Sequence, residues 1–266
     1  MKRPLPRGET SLAAARGSGH LIRSMAIFIL VHGAMHGGWC WQKLVPLLEA
    51  QGHRVSAPDL PGMGDDPTPL SDVTMGAWAQ FIARRSRGAG APVILVGHSR
   101  GGTVISEAAE IAPEAMLGLV YLAALLLPAG RKAFEANVAE DARNAAGHGK
   151  EGSQSLRVEP ETARALFYNR ASAEDAVWAS GRLCPEPLAP NMVPLTVTRE
   201  RWGRLPRAYI ECLDDRALPI ELQRSMQADL PCDPVVTMDS DHSPFLCAPR
   251  ALAAHLADIA AGFAAR

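Results

Sequence analysis

The sequence has few cysteines, and they are scattered along the chain. Five of its 266 residues are cysteine, and no two form a C-x-x-C pair or share with histidine a spacing typical of metal ligands. An odd, scattered set argues against a disulfide framework and against a zinc site. It favours a reducing compartment, and we expect the cytoplasm. The cysteines are Cys40, Cys184, Cys212, Cys232 and Cys247.

Net charge and long apolar runs are also lacking. The formal net charge is -1, which provides no electrostatic attraction to nucleic acid or to a membrane surface. No run approaches the roughly 18 consecutive apolar residues that a membrane span needs. We therefore expect neither nucleic acid nor membrane as a partner. The composition is 47% hydrophobic and 21% charged, as in a single globular domain with a sizeable core.

The first 24 residues differ from the rest of the chain. Residues 1–24 are basic, rich in Gly, Ser, Ala and Arg, and lack the apolar segment of a signal peptide. No strand-like run occurs before Ala26, and Met25 stands directly in front of it. We expect either a disordered tail without function or a start assigned too early, with Met25 as the native start.

Strand-like and helix-like segments alternate along the remaining chain. The continuous apolar run Ala26–His32 is typical of a strand covered on both faces of a parallel sheet, and helical spacing follows in Trp39–Gln51. Further strands are predicted at 53–57, 92–97, 119–123, 207–213 and 234–238, and further helices at 74–87, 103–112, 220–230 and 250–263. This alternation predicts an α/β fold with a mostly parallel central sheet flanked by helices.

Residues 129–206 interrupt this alternation. The segment is helical in composition, shows no convincing strand, and holds much of the aromatic content. Because strands are predicted on both sides of it, we expect a small helical cap inserted between two strands, with 25–128 and 207–266 as the core. Such a cap lies above the carboxyl ends of the strands, where open α/β sheets bind ligands. We therefore favour a substrate lid over a plain packing layer.

The junction PVILVGHSRGG, residues 92–102, carries the strongest chemical signal. Ser99 is the centre of a G-x-S-x-G pattern that follows a predicted strand and precedes a predicted helix. Glycines on both sides of the serine allow a sharp turn that holds its hydroxyl clear of the sheet. The pattern predicts that Ser99 is a nucleophile.

A serine nucleophile needs a base, and the base needs an acid that fixes its tautomer. His242 follows the last predicted strand, which is where the base is expected when the chain order is serine, acid, histidine. The acid is expected after the strand at 207–213, where both Asp214 and Asp215 stand. Spacing alone does not separate these two aspartates.

Acyl transfer also needs amide donors for the developing oxyanion. One is expected from the residue after the nucleophile, Arg100, and the other from Ala34, in the loop after the first strand. Gly33 allows that loop to approach the reacting centre closely. For the Arg100 side chain two roles are open: a surface ion pair, or a reach toward the cap that favours an anionic or electron-rich substrate.

Four stretches of this chain resemble one branch of the α/β-hydrolase superfamily. That branch contains plant methylesterases, plant hydroxynitrile lyases and bacterial carboxylesterases including pyrethroid hydrolases. The stretches read FILVHGAMHGGWCWQKLVPLLEAQGHRVSAPDLPGMG, VILVGHSRGG, RAYIECLDDRALPIELQRSMQ and DHSPFLCAP. The resemblance runs from Ala26 to the C-terminus and is weakest in the predicted cap. It implies the α/β-hydrolase fold with no cofactor and no metal.

The resemblance also implies roles for individual residues. These are nucleophile for Ser99, base for His242, acid for Asp215, and oxyanion hole for the amides of Ala34 and Arg100. Two positions depart from the similar lyases, which carry a threonine where this chain has Gly33 and a lysine where it has Ser243. The departures argue against lyase chemistry and for ester hydrolysis.

We therefore expect a serine carboxylesterase that hydrolyses hydrophobic or aromatic esters, such as pyrethroid-like, methyl or aryl esters, through an acyl-enzyme. The alternatives are lyase-type carbon–carbon cleavage and a non-catalytic small-molecule receptor on the same fold. The expected partner is a small-molecule ester, and the chain is expected to be a monomer or homodimer. The candidate substrate-binding residues are Gly33, Phe167, Tyr168, Trp178 and Met192.

Overall fold

The computed structural model describes residues 25–135 and 155–266. The predicted tail, residues 1–24, lies outside the described residues, and so does the part of the predicted cap at 136–154. The strands in the described part are β1 Ile27–Val31, β2 Arg54–Ser56, β3 Val93–His98, β4 Met116–Leu122, β5 Ser155–Leu156, β6 Glu186–Pro187, β7 Arg207–Cys212 and β8 Val235–Met238.

Six of these strands form the central sheet, in the order β2-β1-β3-β4-β7-β8. Every neighbouring pair in it is parallel. The residues of β1 and β3 are all buried, as expected for strands covered on both faces. The predicted α/β fold with a parallel central sheet is confirmed. Parallel pairing brings the carboxyl ends of β3, β7 and β8 to one edge.

Helices cover both faces of this sheet, with one apolar cluster on each face. Their bounds are α1 Val45–Glu49, α2 Met75–Arg87, α3 Gly101–Ile111, α4 Pro160–Phe167, α5 Ala173–Ser180, α6 Ile220–Asp229, α7 Pro244–Cys247 and α8 Pro249–Ala264. Across the described residues, no helix combines the length and apolar character needed to cross a bilayer.

The first predicted helix is broken in two. Instead of one helix over Trp39–Gln51, a 3-10 turn at Gly38–Trp41 precedes the short helix α1. Pro46 lies in the first turn of α1, where its missing N–H costs nothing, whereas inside a longer helix it would remove a hydrogen bond. The four-residue helix α7 was not predicted, because it is too short to show helical periodicity.

The segment between β4 and β7 departs from the central sheet, and those two strands pair directly with each other. In its described part it contains α4, α5 and several 3-10 turns. It also contains a small antiparallel pair, β5 with β6. The expectation of no strand in this segment is therefore wrong. Two-residue strands are too short to show alternation, and tertiary contacts alone bring them together.

Candidate active site

Ser99 occupies a strained turn between β3 and α3. Its φ of 53° is left-handed, which costs a non-glycine residue free energy that the surroundings must supply. The Ser99 amide donates to the Leu122 carbonyl at 3.2 Å, and the Ser99 carbonyl accepts from the Leu125 amide at 3.0 Å. A Cβ on Gly97 would lie 2.7 Å from the Gly101 carbonyl oxygen, so the turn is too tight for larger residues there. The predicted turn thus presents Ser99 at the carboxyl edge of the sheet.

His242 and Asp215 form a buried pair. His242 Nδ1 lies 2.7 Å from Asp215 Oδ2, and both side chains are at most 2% exposed. The other carboxylate oxygen accepts from the amides of Ala217 at 2.8 Å and Leu218 at 2.7 Å. Because the carboxylate accepts, the imidazole carries its proton on Nδ1, and Nε2 is left with a lone pair that can accept a proton.

The second aspartate after β7 has a different environment. The Asp214 side chain is 45% exposed, and its Oδ2 accepts from Asn169 Nδ2 at 3.0 Å. Of the two aspartates that spacing left open, the structure therefore brings only Asp215 to the imidazole.

His98 connects the nucleophile turn to the loop that carries His242. His98 Nε2 donates to the His242 carbonyl at 2.8 Å, and the two ring centroids are 4.6 Å apart. Within residues 25–135 and 155–266 no hydrogen bond joins the Ser99 hydroxyl to the imidazole. In other enzymes such bonds often tighten only when substrate binds. The structure thus places the His242 imidazole against His98, the residue that precedes Ser99.

The loop after β1 passes very close to the nucleophile. A Cβ on Gly33 would lie 2.9 Å from Ser99 Cβ and 2.9 Å from His98 Nδ1, so only glycine allows this approach. No described residue accepts a hydrogen bond from the main-chain amides of Ala34 or Arg100. The Arg100 amide also lies at the N-terminus of α3, where the helix dipole favours negative charge. Both amides are therefore available to an oxyanion.

The Arg100 side chain lies in the interior and extends toward the predicted cap. It is buried rather than at the surface, and its Nε lies 2.9 Å from Glu186 Oε1. Its Nη2 donates to the Gly33 carbonyl at 3.1 Å, and its Cζ lies 4.1 Å from the centroid of the Trp78 ring. It does reach the predicted cap, but there it meets a carboxylate. The expected surface location is therefore wrong, because a carboxylate from a distant part of the chain pairs with Arg100 in the interior. The expected reach toward residues 129–206 is present, and its effect on substrate preference stays a prediction.

The four aromatic and aliphatic candidates for the substrate pocket are spread widely. The Phe167 ring centroid lies 5.7 Å from that of His242. Tyr168 is buried, and its hydroxyl bonds His36 Nε2 at 2.7 Å. The Trp178 ring packs edge-on against Trp39, and Met192 is 45% exposed. The structure therefore brings Phe167, but not the whole set, to the imidazole.

Two buried histidines next to the site were not singled out from the sequence. His36 Nδ1 bonds the Ala34 carbonyl at 2.7 Å, and burial lowers the pKa of His36 to about 4. Burial also lowers the pKa of His98 well below its usual value, with the nearby His242 acting in the same direction. Both rings are therefore neutral near pH 7. The sequence places His36 in the loop after the first strand, but nothing in the sequence reveals its contacts.

This fold and this site identify the family of proteins to which the chain belongs. The α/β-hydrolase family model matches residues 28–255, and the chain belongs to that family. The chain is 32% identical over 252 residues, 89% of its length, to Methylesterase 7 of Arabidopsis thaliana, of which it covers 97%. It is 31% identical to the longer chloroplastic methylesterase 11 of the same plant, and there the alignment takes in 88% of this chain and 63% of the relative.

Comparison with solved structures gives the same family. A crystal structure of a pyrethroid hydrolase from Sphingobium faniae superposes with a TM-score of 0.81 at 33% sequence identity. The superposition covers 91% of this chain and 100% of that one. The predicted membership of the α/β-hydrolase superfamily, in the branch of methylesterases and pyrethroid hydrolases, is confirmed.

Proposed function

We propose that this protein is a serine carboxylesterase. The observation that carries the proposal is the buried His242–Asp215 pair at 2.7 Å, held against a G-x-S-x-G turn that exposes Ser99. The proposal needs no cofactor and no metal, because the side chains and amides of the chain supply each chemical role.

In the first half-reaction, Ser99 Oγ attacks the ester carbonyl carbon while His242 Nε2 takes the hydroxyl proton. Asp215 keeps the other ring proton on Nδ1 and stabilises the imidazolium that forms. The oxyanion accepts from the amides of Ala34 and Arg100. As the carbon–oxygen bond breaks, His242 protonates the leaving alcohol, and an acyl-enzyme remains.

In the second half-reaction, His242 removes a proton from water, and the hydroxide adds to the acyl carbonyl. The second tetrahedral intermediate uses the same two amides. When it collapses, Ser99 Oγ recovers its proton from the imidazolium and the carboxylic acid leaves.

The proposed substrates are hydrophobic or aromatic esters. Phe167 lies beside the imidazole and His36 stacks on Trp39 at 5.3 Å, so rings border the reacting centre. Apolar and aromatic walls with few polar groups suit such esters. The methylesterases and the pyrethroid hydrolase among the relatives support this substrate class. We also propose a reducing, cytoplasmic setting and a monomeric or homodimeric state.

Lyase-type chemistry on this scaffold has less support. The space that a residue-33 side chain would need is filled by Ser99 and His98. The position after the base carries Ser243, which is buried and has no cationic group. The two groups expected of the similar lyases therefore have no counterpart in this chain.

Hydrolysis is tested with purified protein on aryl, short alkyl and pyrethroid esters, with a fluorophosphonate probe in parallel. We expect turnover of apolar esters and covalent labelling at Ser99. Ser99→Ala should abolish both while leaving the melting temperature unchanged. A wild-type protein that neither hydrolyses esters nor labels would favour the receptor alternative, and cyanide release from mandelonitrile would favour the lyase.

A further inference from the structure

We propose that the buried ion pair between Arg100 and Glu186 positions the Ala34 amide and thereby sets the oxyanion hole. Both side chains are positioning residues, because they act through the backbone of the loop after β1. The inference rests on the proposed esterase function. It adds a role for the Arg100 side chain, distinct from the role of its amide, and a role for one carboxylate in the segment between β4 and β7.

The first contact fixes the peptide group between Gly33 and Ala34. The Gly33 carbonyl accepts from Arg100 Nη2 at 3.1 Å and from His32 Nδ1 at 2.9 Å. His32 Nε2 accepts from the Leu60 amide at 3.1 Å, so the His32 proton is on Nδ1. In a planar trans peptide the carbonyl and the following N–H point in opposite directions. Holding the Gly33 oxygen therefore also sets the direction of the Ala34 N–H.

The second contact fixes the next peptide group. Glu186 Oε2 accepts from the Met35 amide at 3.0 Å, and the Met35 carbonyl accepts from the Cys184 amide at 2.9 Å. Met35 has a φ of 63°, a left-handed conformation that a non-glycine residue keeps only when its surroundings impose it. Cys184, two residues before β6, and Glu186, within β6, supply those restraints, so the segment between β4 and β7 holds the loop in its strained shape.

The ion pair joins these two contacts. Arg100 Nε and Glu186 Oε1 are 2.9 Å apart, with side-chain exposures of 4% and 1%. Asn191 Nδ2 also donates to Glu186 Oε1 at 3.0 Å, and the Trp78 ring covers the guanidinium. Arg100 Nε forms no hydrogen bond with any described residue, so its contact with Glu186 is a charge contact. Removing either partner would leave an uncompensated buried charge. The peptide groups on either side of Ala34 are thereby held by two side chains that also hold each other.

The experiment compares Arg100→Met, Glu186→Gln and the double variant with wild-type protein. Each single variant should lower kcat on an aryl ester by about tenfold or more with little change in KM, as expected when only transition-state contacts are lost. The double variant leaves no unpaired buried charge, so its melting temperature should recover toward wild type. Its kcat should stay low, because residue 100 no longer holds the Gly33 carbonyl.

A second measurement reports on the oxyanion hole directly. Ser99 Oγ adds to the carbonyl carbon of an aryl trifluoromethyl ketone. The ketone oxygen then becomes an oxyanion, and the serine proton passes to His242. The inhibition constant of this ketone should rise across the variants in parallel with the fall in kcat/KM. The matched control is Glu107→Gln, because Glu107 is a buried carboxylate that bonds Thr196 near the far end of the same segment. It should lose stability and keep kcat.

The outcomes separate the two proposals. If Ser99-dependent turnover is present and the double variant regains kcat to within about twofold along with its stability, the ion pair is only structural. That result overturns the positioning role and leaves the esterase proposal standing. The positioning role is also overturned if the inhibition constant is the same in every variant as in the wild type. If the wild-type protein shows no Ser99-dependent turnover, the esterase proposal fails and the positioning role fails with it.

Discussion

Replacing Asp215 with asparagine tests how the base is oriented. Asp215 Oδ1 accepts from two backbone amides, at 2.8 and 2.7 Å, so the single oxygen of an asparagine must stay there. The new amide nitrogen then faces His242 Nδ1, where Oδ2 lies 2.7 Å away in the wild type. A donor at that position forces the ring to carry its proton on Nε2, and that tautomer cannot accept a proton from Ser99.

The expected loss follows from this tautomer change. In serine hydrolases, the corresponding substitution lowers kcat by about 10⁴-fold, which corresponds to roughly 5 kcal/mol of transition-state stabilisation. Gln223 Nε2 donates to Oδ2 at 3.2 Å, but it also donates to the carbonyls of Leu218 at 2.7 Å and Cys212 at 3.3 Å. Its two N–H groups therefore keep acceptors in the variant, and the melting temperature should change little.

The assay is steady-state hydrolysis of an aryl ester, with thermal unfolding followed in the same samples. The matched control is Asp214→Asn, because Asp214 is half-exposed and bonds Asn169 rather than the imidazole. We expect the control to keep kcat within about twofold. The assignment of the acid would be refuted if Asp214→Asn lowered kcat more than Asp215→Asn, or if Asp215→Asn kept most of the wild-type rate.

Three further predictions concern the surroundings of the base and the nucleophile. Gly33→Ala places a Cβ 2.9 Å from Ser99 Cβ, so kcat should fall by about 10²-fold in the ester assay, as expected for a displacement near 1 Å; an unchanged kcat would contradict the tight approach. Burial lowers the pKa of His36 from 6.5 to about 4, so the unfolded chain takes up a proton first as the pH falls. The free energy of unfolding should therefore drop between pH 6.5 and 4, by up to about 3 kcal/mol from this group. Urea unfolding at pH 7 and pH 5 measures this drop, and equal free energies of unfolding at the two pH values would refute the reasoning. Phe167→Ala should lower kcat/KM by about tenfold for aryl esters and less for methyl acetate; an equal loss for both would remove Phe167 from the pocket.

Much of the fold could be predicted from local sequence signals. Apolar runs such as those that became β1 and β3 are buried on both faces, and that burial is visible as a continuous stretch of apolar letters. The glycines around Ser99 indicated a tight turn because each type of turn restricts the residues that can form it. Where a proline or a very short element intervened, as in α1 and β5, periodicity had too few residues to be read.

The partners of individual side chains could not be predicted in the same way. Asp214 and Asp215 are adjacent and chemically identical, and only the path of the loop after β7 decides which one faces His242. His242 itself was predicted from its place after the last strand, and its catalytic role stays a prediction. The Arg100 side chain was expected at the surface or reaching toward the cap, and the fold buries it against Glu186, a residue of the predicted cap that no local signal identified as its partner.

The sequence by itself determined the alternation of strands and helices, the turn at Ser99 and the late position of the histidine, because backbone geometry ties such features to nearby residues. Residue spacing left two aspartates open and only the family resemblance favoured Asp215, whereas the tertiary structure decided which of them meets the imidazole. It alone decided which carboxylate neutralises Arg100. Those contacts join residues far apart in the chain, and their distances depend on how every intervening element packs.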